Sequence, residues 1–473
     1  MPRFVAGLAL LALVSTTPVS AQTGQAPPPE APVRYDPDHL PADFHRSRRD
    51  AVRRAMPSGS VALVFGAPER QRSNDTNFQY RQDSDFYYLT GSEEPGSALM
   101  LVPGGVEVDG ERVEEILFIP PRDPAAEVWT GRRFGVERAE RELGVQMALE
   151  NSRFDEVARA VLAGTTVLVE DLPGGVAEGS ALASQLETLH EVASRPDMVD
   201  GPRAASVDTE TLRRVLTGLR EIKTPEEMVL LRRAIDITAD AHRAVMQQVE
   251  PGWAEYEIEA LIEYTFARNG AQYTGFPSIV GSGENSVILH YETNRKVTRA
   301  GEVAVIDIGA EVHGYSADIT RTIPISGTFS PEQRAIYDLV LAAQQAGIDA
   351  AVGGAPMQAT HQAAVGVLLP GLAELGLIDG PRDVQGLRRF FMHGTSHYIG
   401  LDVHDTGSYG TLEPGMVITV EPGVYIPAAD DIDPKWWHIG VRIEDDILIT
   451  EGAPELLSGN APRTADDIEA LMR

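Results

Sequence analysis

"TPEEMVLLRRAIDITADAHRAVM" (residues 224–246) and "SPEQRAIYDLVLAAQQAGIDAAV" (330–352) open with the same device. A hydroxyl residue precedes a proline, and a Glu or Gln stands three positions after the hydroxyl: Thr224, Pro225 and Glu227, then Ser330, Pro331 and Gln333. This is a capping box with proline at the first helical position, where a missing N–H leaves nothing unpaired. Each helix runs into a Pro/Gly break, "EPGWAEYE" (250–257) and "GGAPMQAT" (353–360). A second helix follows each break, ending in "EYTFARNG" (263–270) and "GLAELG" (371–376). Strands close both halves: "VAVIDIGAEVHGYSADITRTI" (303–323) in the first, "MVITVEPGVY" (416–425) and "VRIEDDILIT" (441–450) in the second. Two helix–helix–strand units of about equal length predict a pseudo-two-fold α+β domain over residues 206–473, with helices covering one face of a curved antiparallel sheet.

Ahead of the repeat the pattern changes. "SVALVFG" (60–66), "DFYYLTG" (85–91), "SALMLV" (97–102), "EEILFIP" (114–120) and "TTVLVE" (165–170) read as strands, with helical stretches at 44–56 and 135–160. Residues 44–205 are thus expected to form an N-terminal α/β domain. Residues 22–43, rich in proline and polar groups, read as an extended linker. Residues 1–21, "MPRFVAGLALLALVSTTPVSA", have a basic Arg3, an apolar run and a small-x-small ending at Ala21, the layout of a secretory signal peptide. The apolar run falls short of the roughly 20 residues that span a bilayer. The mature chain is expected to be exported, to a periplasm or the medium.

Composition narrows the chemistry. A net charge of −30 and a pI near 4.7 argue against nucleic acid or an anionic membrane as partner. The absence of cysteine removes disulfides, thiol catalysis and thiolate zinc sites. Most of the 70 acids belong on a solvated surface, so only acids at unusual positions call for a role.

Four do. Asp307 interrupts the apolar run "VAVIDIGA", and Asp318 lies beyond a turn at His313-Gly314. Glu421 and Glu444 hold comparable positions in the second unit. Alternate residues share a strand face, so a hairpin can bring each pair together. Four carboxylates buried in one sheet repel, at several kcal/mol each unless compensated, and a metal is the most economical compensation. "FMHGTSHYIGLDVHD" (391–405) concentrates three histidines, and His397 completes a set of Asp, Asp, His, Glu and Glu. Oxygen-rich donors with one imidazole suit Mn2+, with Co2+ or Zn2+ as alternatives, and five such ligands suit two ions roughly 3.5–4 Å apart. For any single acid a salt bridge is the simpler explanation. Asp445 and Asp446 are read as solvated or turn residues.

Together "HYETN", "SADITRT", "HGTSHYIGLDVHD", "LEPGMVITVEPGVY" and "GVRIEDD" resemble the pita-bread metallopeptidases, most of all their aminopeptidase P (Xaa-Pro aminopeptidase) branch. "YRQDSDFYYLTG" and "RDPAAEVWTGRR" are similar to that branch's N-terminal domain, so the likeness covers nearly all of the mature chain. The resemblance implies metal ligands at Asp307, Asp318, His397, Glu421 and Glu444, with Glu421 also the general base. It implies that His290, His393 and His404 line the cleft and bond the peptide near the scissile carbonyl. It further implies a gate in which Asp75 faces Arg442, a Trp129 that packs on a proline side chain in a neighbouring subunit's cleft, and dimers or tetramers. An inter-domain salt bridge and core packing are the plainer alternatives for these residues. The expected activity is removal of an N-terminal residue that precedes proline. A dipeptide-specific prolidase shares the metal site, a metal-free peptide-binding module shares the fold, and a hydrolase of creatine-like amidines is a third alternative.

Overall fold

The computed structural model describes residues 39–170, 172–194 and 205–473. The expected signal peptide and residues 22–38 of the expected linker lie outside the described residues. Helix Ala42–Ala55 already includes the last two positions assigned to that linker.

Continuous apolar runs build the N-terminal sheet. Its strands run, edge to edge, Ala148–Glu150, Glu111–Ile119, Ala98–Val108, Ser60–Phe65, Thr166–Leu168 and Ser206–Asp208. The long central strands pair antiparallel, and the three short ones join parallel to their neighbours. The last strand lies beyond residue 205, so the sheet extends past that position. Strand Ser60–Phe65 is buried on both faces: Val61, Leu63 and Phe65 enter one core, Ala62 and Val64 another. The second of these cores continues into the C-terminal half through Leu230, Ile235, Ile306 and Tyr315. The two halves therefore share a hydrophobic core.

"DFYYLTG" is a helix, Ser84–Thr90, and not the strand its aromatic run predicts. Its ends decide this. Asp83 accepts the Phe86 N–H at 2.9 Å as N-cap, and Gly91 closes the helix in the left-handed region at φ 68°.

In the C-terminal half both capping boxes form: Thr224 with Glu227 starts helix Pro225–Gln248, and Ser330 with Gln333 starts helix Pro331–Ala350. The second helices are Glu255–Arg268 and Gln358–Glu374. Strand Val303–Ile308 pairs antiparallel with Ile319–Pro324, placing Asp307 opposite Thr320. The turn at His313-Gly314 has positive φ at both residues, 48° and 83°, the geometry a two-residue hairpin loop requires. In the second unit Val417–Val420 pairs with Asp445–Leu448, and Gly423–Ile426 with Ile439–Arg442. The units meet along a seam: Glu444 N–H donates to Thr320 O at 3.1 Å, Thr322 Oγ1 to Arg442 O at 3.0 Å.

Backbones approach closely beside the first hairpin. A Cβ on Gly309 would lie 1.8 Å from the carbonyl oxygen of Ala317, whereas one on Gly366, inside helix Gln358–Glu374, would meet nothing within 4 Å. Gly309→Ala is expected to lower unfolding free energy by about 3 kcal/mol, and Gly366→Ala to raise it by about 0.5 kcal/mol. Urea midpoints at unchanged slope would measure both.

Candidate metal centre

Strand interruptions position the acids. Asp307 lies within its strand, but Asp318 precedes Ile319–Pro324, Glu421 separates Val417–Val420 from Gly423–Ile426, and Glu444 separates Ile439–Arg442 from Asp445–Leu448. A break releases a residue from strict two-residue alternation and lets its carboxylate turn toward the seam. His397 arrives on an irregular segment laid along the second unit: Thr419 N–H donates to His397 O at 2.9 Å and Glu421 N–H to Thr395 O at 2.8 Å. Asp307, Asp318, His397 and Glu444 are buried, while the Glu421 side chain keeps 19% of its surface exposed.

The imidazole of His397 decides what this cluster can hold. Its Nδ1 lies 3.0 Å from Tyr398 O, which can only accept, so Nδ1 carries the proton. Burial pushes its pKa down to about 4, so the ring is neutral. Nε2 therefore turns a lone pair toward Asp318 Oδ2 at 3.5 Å, Glu421 Oε1 at 3.7 Å and Glu444 Oε1 at 3.9 Å. Ligand atoms of Asp318, His397 and Glu444 lie within 4.8 Å of one another. Asp307 Oδ1 and Asp318 Oδ1 are buried without a hydrogen-bond partner. Once the acids are ionised, acceptors face acceptors with orphaned carboxylate oxygens beside them, an arrangement that suits a divalent cation. Burial, then repulsion by neighbouring acids, raises the pKa of Asp318 and Glu421 well above the carboxylate range, and that of Glu444 to about 8.

One protein cation also reaches the cluster. Arg442 Nη2 donates to Asp307 Oδ2 at 2.6 Å, its Nε to Thr320 Oγ1 at 3.1 Å, and its Nη1 to Tyr425 OH at 3.0 Å. Tyr425 passes the chain to His393 Nε2 at 2.9 Å, and His393 Nδ1 faces Gly394 O at 2.7 Å. Both ring nitrogens of His393 are thereby engaged, with Nδ1 also 3.6 Å from Glu421 Oε2. Burial lowers its pKa to about 4. His404 is exposed, with its ring centroid 4.3 Å from that of His397. His290 is exposed too; burial first, then the neighbouring His290, lowers the pKa of His404.

Asp75 occupies an exposed turn between strands Gln71–Ser73 and Thr76–Asn77, and it makes no ion pair with Arg442, which is turned inward to Asp307. Trp129 is 88% exposed and its neighbour Val128 80%, on the short helix Pro124–Thr130, so Trp129 is not a core residue. Asp445 and Asp446 are fully buried, against the expectation of solvated or turn residues. Their strand lies between two others, and each acid has partners: Asp445 accepts from Arg321 Nη2 at 2.6 Å and Gln344 Nε2 at 2.8 Å, Asp446 from the Asp318 N–H at 3.3 Å. Tyr425 escaped the sequence reading because an aromatic residue in an apolar strand looks like core. A buried Arg442 on the paired strand was the one signal pointing to it.

Residues 229–451 match the model of metallopeptidase family M24, and residues 45–169 match that of the aminopeptidase P N-terminal domain. The Xaa-Pro aminopeptidase of Escherichia coli strain K12 is 42% identical over 440 residues, 91% of this chain and 97% of that protein. Zinc-substituted E. coli aminopeptidase P in complex with product superposes with a TM-score of 0.83 at 39% identity, covering 92% of this chain and 98% of the other. The aminopeptidase PepP of Pseudomonas aeruginosa gives 0.83 at 37%, with the same coverage.

The raised carboxylates make a pH prediction. With no cation bound, the folded chain retains protons that the unfolded chain has already lost above the ordinary Glu value of 4.5. That stability is complete below the unfolded value and is lost as pH rises through the folded value, about 8 for Glu444. Chelator-treated protein is expected to melt lower at about pH 9 than at about pH 7, a window above the histidine range. Added Mn2+ should raise the melting temperature more at the higher pH; equal gains at both would refute the reading.

Proposed function

The chain belongs to metallopeptidase family M24, in its aminopeptidase P branch, and from that premise we propose an exported Xaa-Pro aminopeptidase that uses two divalent ions, Mn2+ by preference. Neutral His397 facing three carboxylates carries the metal reading. Asp307, Asp318, His397, Glu421 and Glu444 would hold the ions. Once bound, divalent ions supply Lewis-acid polarisation of the scissile carbonyl and a lowered pKa for the attacking water.

The chain's own groups do the remainder. Glu421, the most open of the five, takes the proton of the attacking water and delivers it to the leaving imino nitrogen. His290 and His404, exposed at the cleft, donate to the oxyanion as it develops, and such donors count for more there than against a planar carbonyl. His393, with both nitrogens engaged, stands behind Glu421 and fixes its surroundings through Tyr425 and Arg442. A bond to proline has no N–H, so recognition rests on the carbonyls, the ring and the free N-terminus. The exposed Trp129 is proposed to complete the proline pocket of a neighbouring copy in a dimer or tetramer. Export rests on the signal layout of residues 1–21.

The test uses mature protein stripped with chelator and then given Mn2+, with Arg-Pro-Pro, Ala-Pro and Ala-Ala-Ala as substrates. Release of the N-terminal residue from the tripeptide over the dipeptide is expected; cleavage of Ala-Pro alone would make it a prolidase. Asp307→Ala should lose metal and activity together. His404→Ala should lower kcat about 100-fold while metal content stays near that of the parent. Loss of metal in His404→Ala would refute the division of roles among the histidines.

A further inference from the structure

His404 is exposed and, among the described residues, its ring makes no hydrogen bond. Beyond its edge contact with the His397 ring, its placement comes from the backbone on either side. The following residue, Asp405, is buried, with Oδ2 accepting from Lys223 Nζ at 2.9 Å and Oδ1 from Arg220 Nη2. Gly400 wraps so tightly around this carboxylate that a Cβ there would lie 2.2 Å from Asp405 Oδ2.

The N-terminal domain grips the same loop at three points. Arg81 Nη2 donates to Leu401 O at 2.5 Å, with Nε anchored on Glu311 Oε2 at 2.9 Å. Ser84 Oγ donates to Asp402 Oδ1 at 2.7 Å. Asp85 holds Arg220 Nη1 at 2.9 Å, and Arg220 Nη2 reaches Asp402 Oδ2 at 2.7 Å as well as Asp405. Ser84 and Asp85 open helix Ser84–Thr90, the helix that Asp83 caps, and Arg81 lies two residues before that cap. Asp85 and Arg220 are both largely buried, so their attraction is only weakly screened.

We infer that Arg81 and Asp85 are positioning residues for His404: the N-terminal domain sets the loop 401–405 from which that imidazole reaches the cleft. This rests on the proposed role of His404 in turnover. Asp85→Asn keeps the shape of the side chain but removes one of the three carboxylate charges that hold Arg220. It is expected to lower kcat about tenfold, because a small displacement of a catalytic donor is costly, with KM and metal content little changed. In a His404→Ala background the same substitution should cost almost nothing more, since the residue it positions is gone. Amide exchange across residues 400–406, read by mass spectrometry in metal-free protein, should speed up in Asp85→Asn and in Arg81→Ala.

An undiminished loss in the His404→Ala background would overturn the inference, as would unchanged exchange in that segment. If His404→Ala itself turned over at the parent rate, the catalytic role of His404 would fail, and the exchange measurement alone would then decide whether the clamp exists. Should either variant not fold, Ser84→Ala, which removes a single bond to Asp402, reads the same coupling at smaller amplitude.

Discussion

Four carboxylates and a neutral imidazole converge on the seam between two repeats, and the rest of the structure answers to their mutual repulsion. Left alone, such a cluster would cost several kcal/mol per charge. The protein offsets part of this with fixed donors: Arg442 on Asp307, Thr320 Oγ1 on Glu444 at 2.7 Å, and protonated carboxyls where pKa values are raised. The remainder is left for a cation. A centre that its own protein fully neutralised would have little affinity for metal, so incomplete compensation is part of its function.

That economy explains why polar residues around the centre are buried in chains of partners. Asp445 and Arg321, both fully buried, tie the strand that follows Glu444 to the first unit, and Asp446 holds the backbone of Asp318. Arg442, Tyr425 and His393 form a similar chain on the cleft side. Removing one member of such a chain strands a buried charge or dipole, which costs more than the pair itself contributes. The N-terminal domain belongs to the same arrangement. One face of its sheet shares a core with the repeat, and Arg81 and Asp85 reach the segment that bears His404.

Much of this was legible residue by residue. The duplicated capping boxes marked the repeat because proline and a hydroxyl three positions before Glu or Gln act within one helical turn and need no tertiary context. The His313-Gly314 turn was legible for the same reason. "DFYYLTG" misled because three aromatic residues in a row favour a strand, while the deciding groups, Asp83 and Gly91, lie at its edges. Asp445 and Asp446 misled because adjacent acids look solvated until their partners, Arg321 and the Asp318 N–H, arrive from more than a hundred residues away.

The sequence by itself determined the periodicities, the caps and turns, and which residue types could serve as ligands, because these depend on covalent chemistry and on neighbours within a few positions. Tertiary structure alone decided that the strands break at Asp318, Glu421 and Glu444, that the lone pair of His397 faces three acids, that Tyr425 links Arg442 to His393, and that a helix of the N-terminal domain holds the His404 loop. The reason is distance: electrostatics and hydrogen bonding act over a few ångströms, and these partners lie tens to hundreds of residues apart until the two repeats and the N-terminal sheet close on one another.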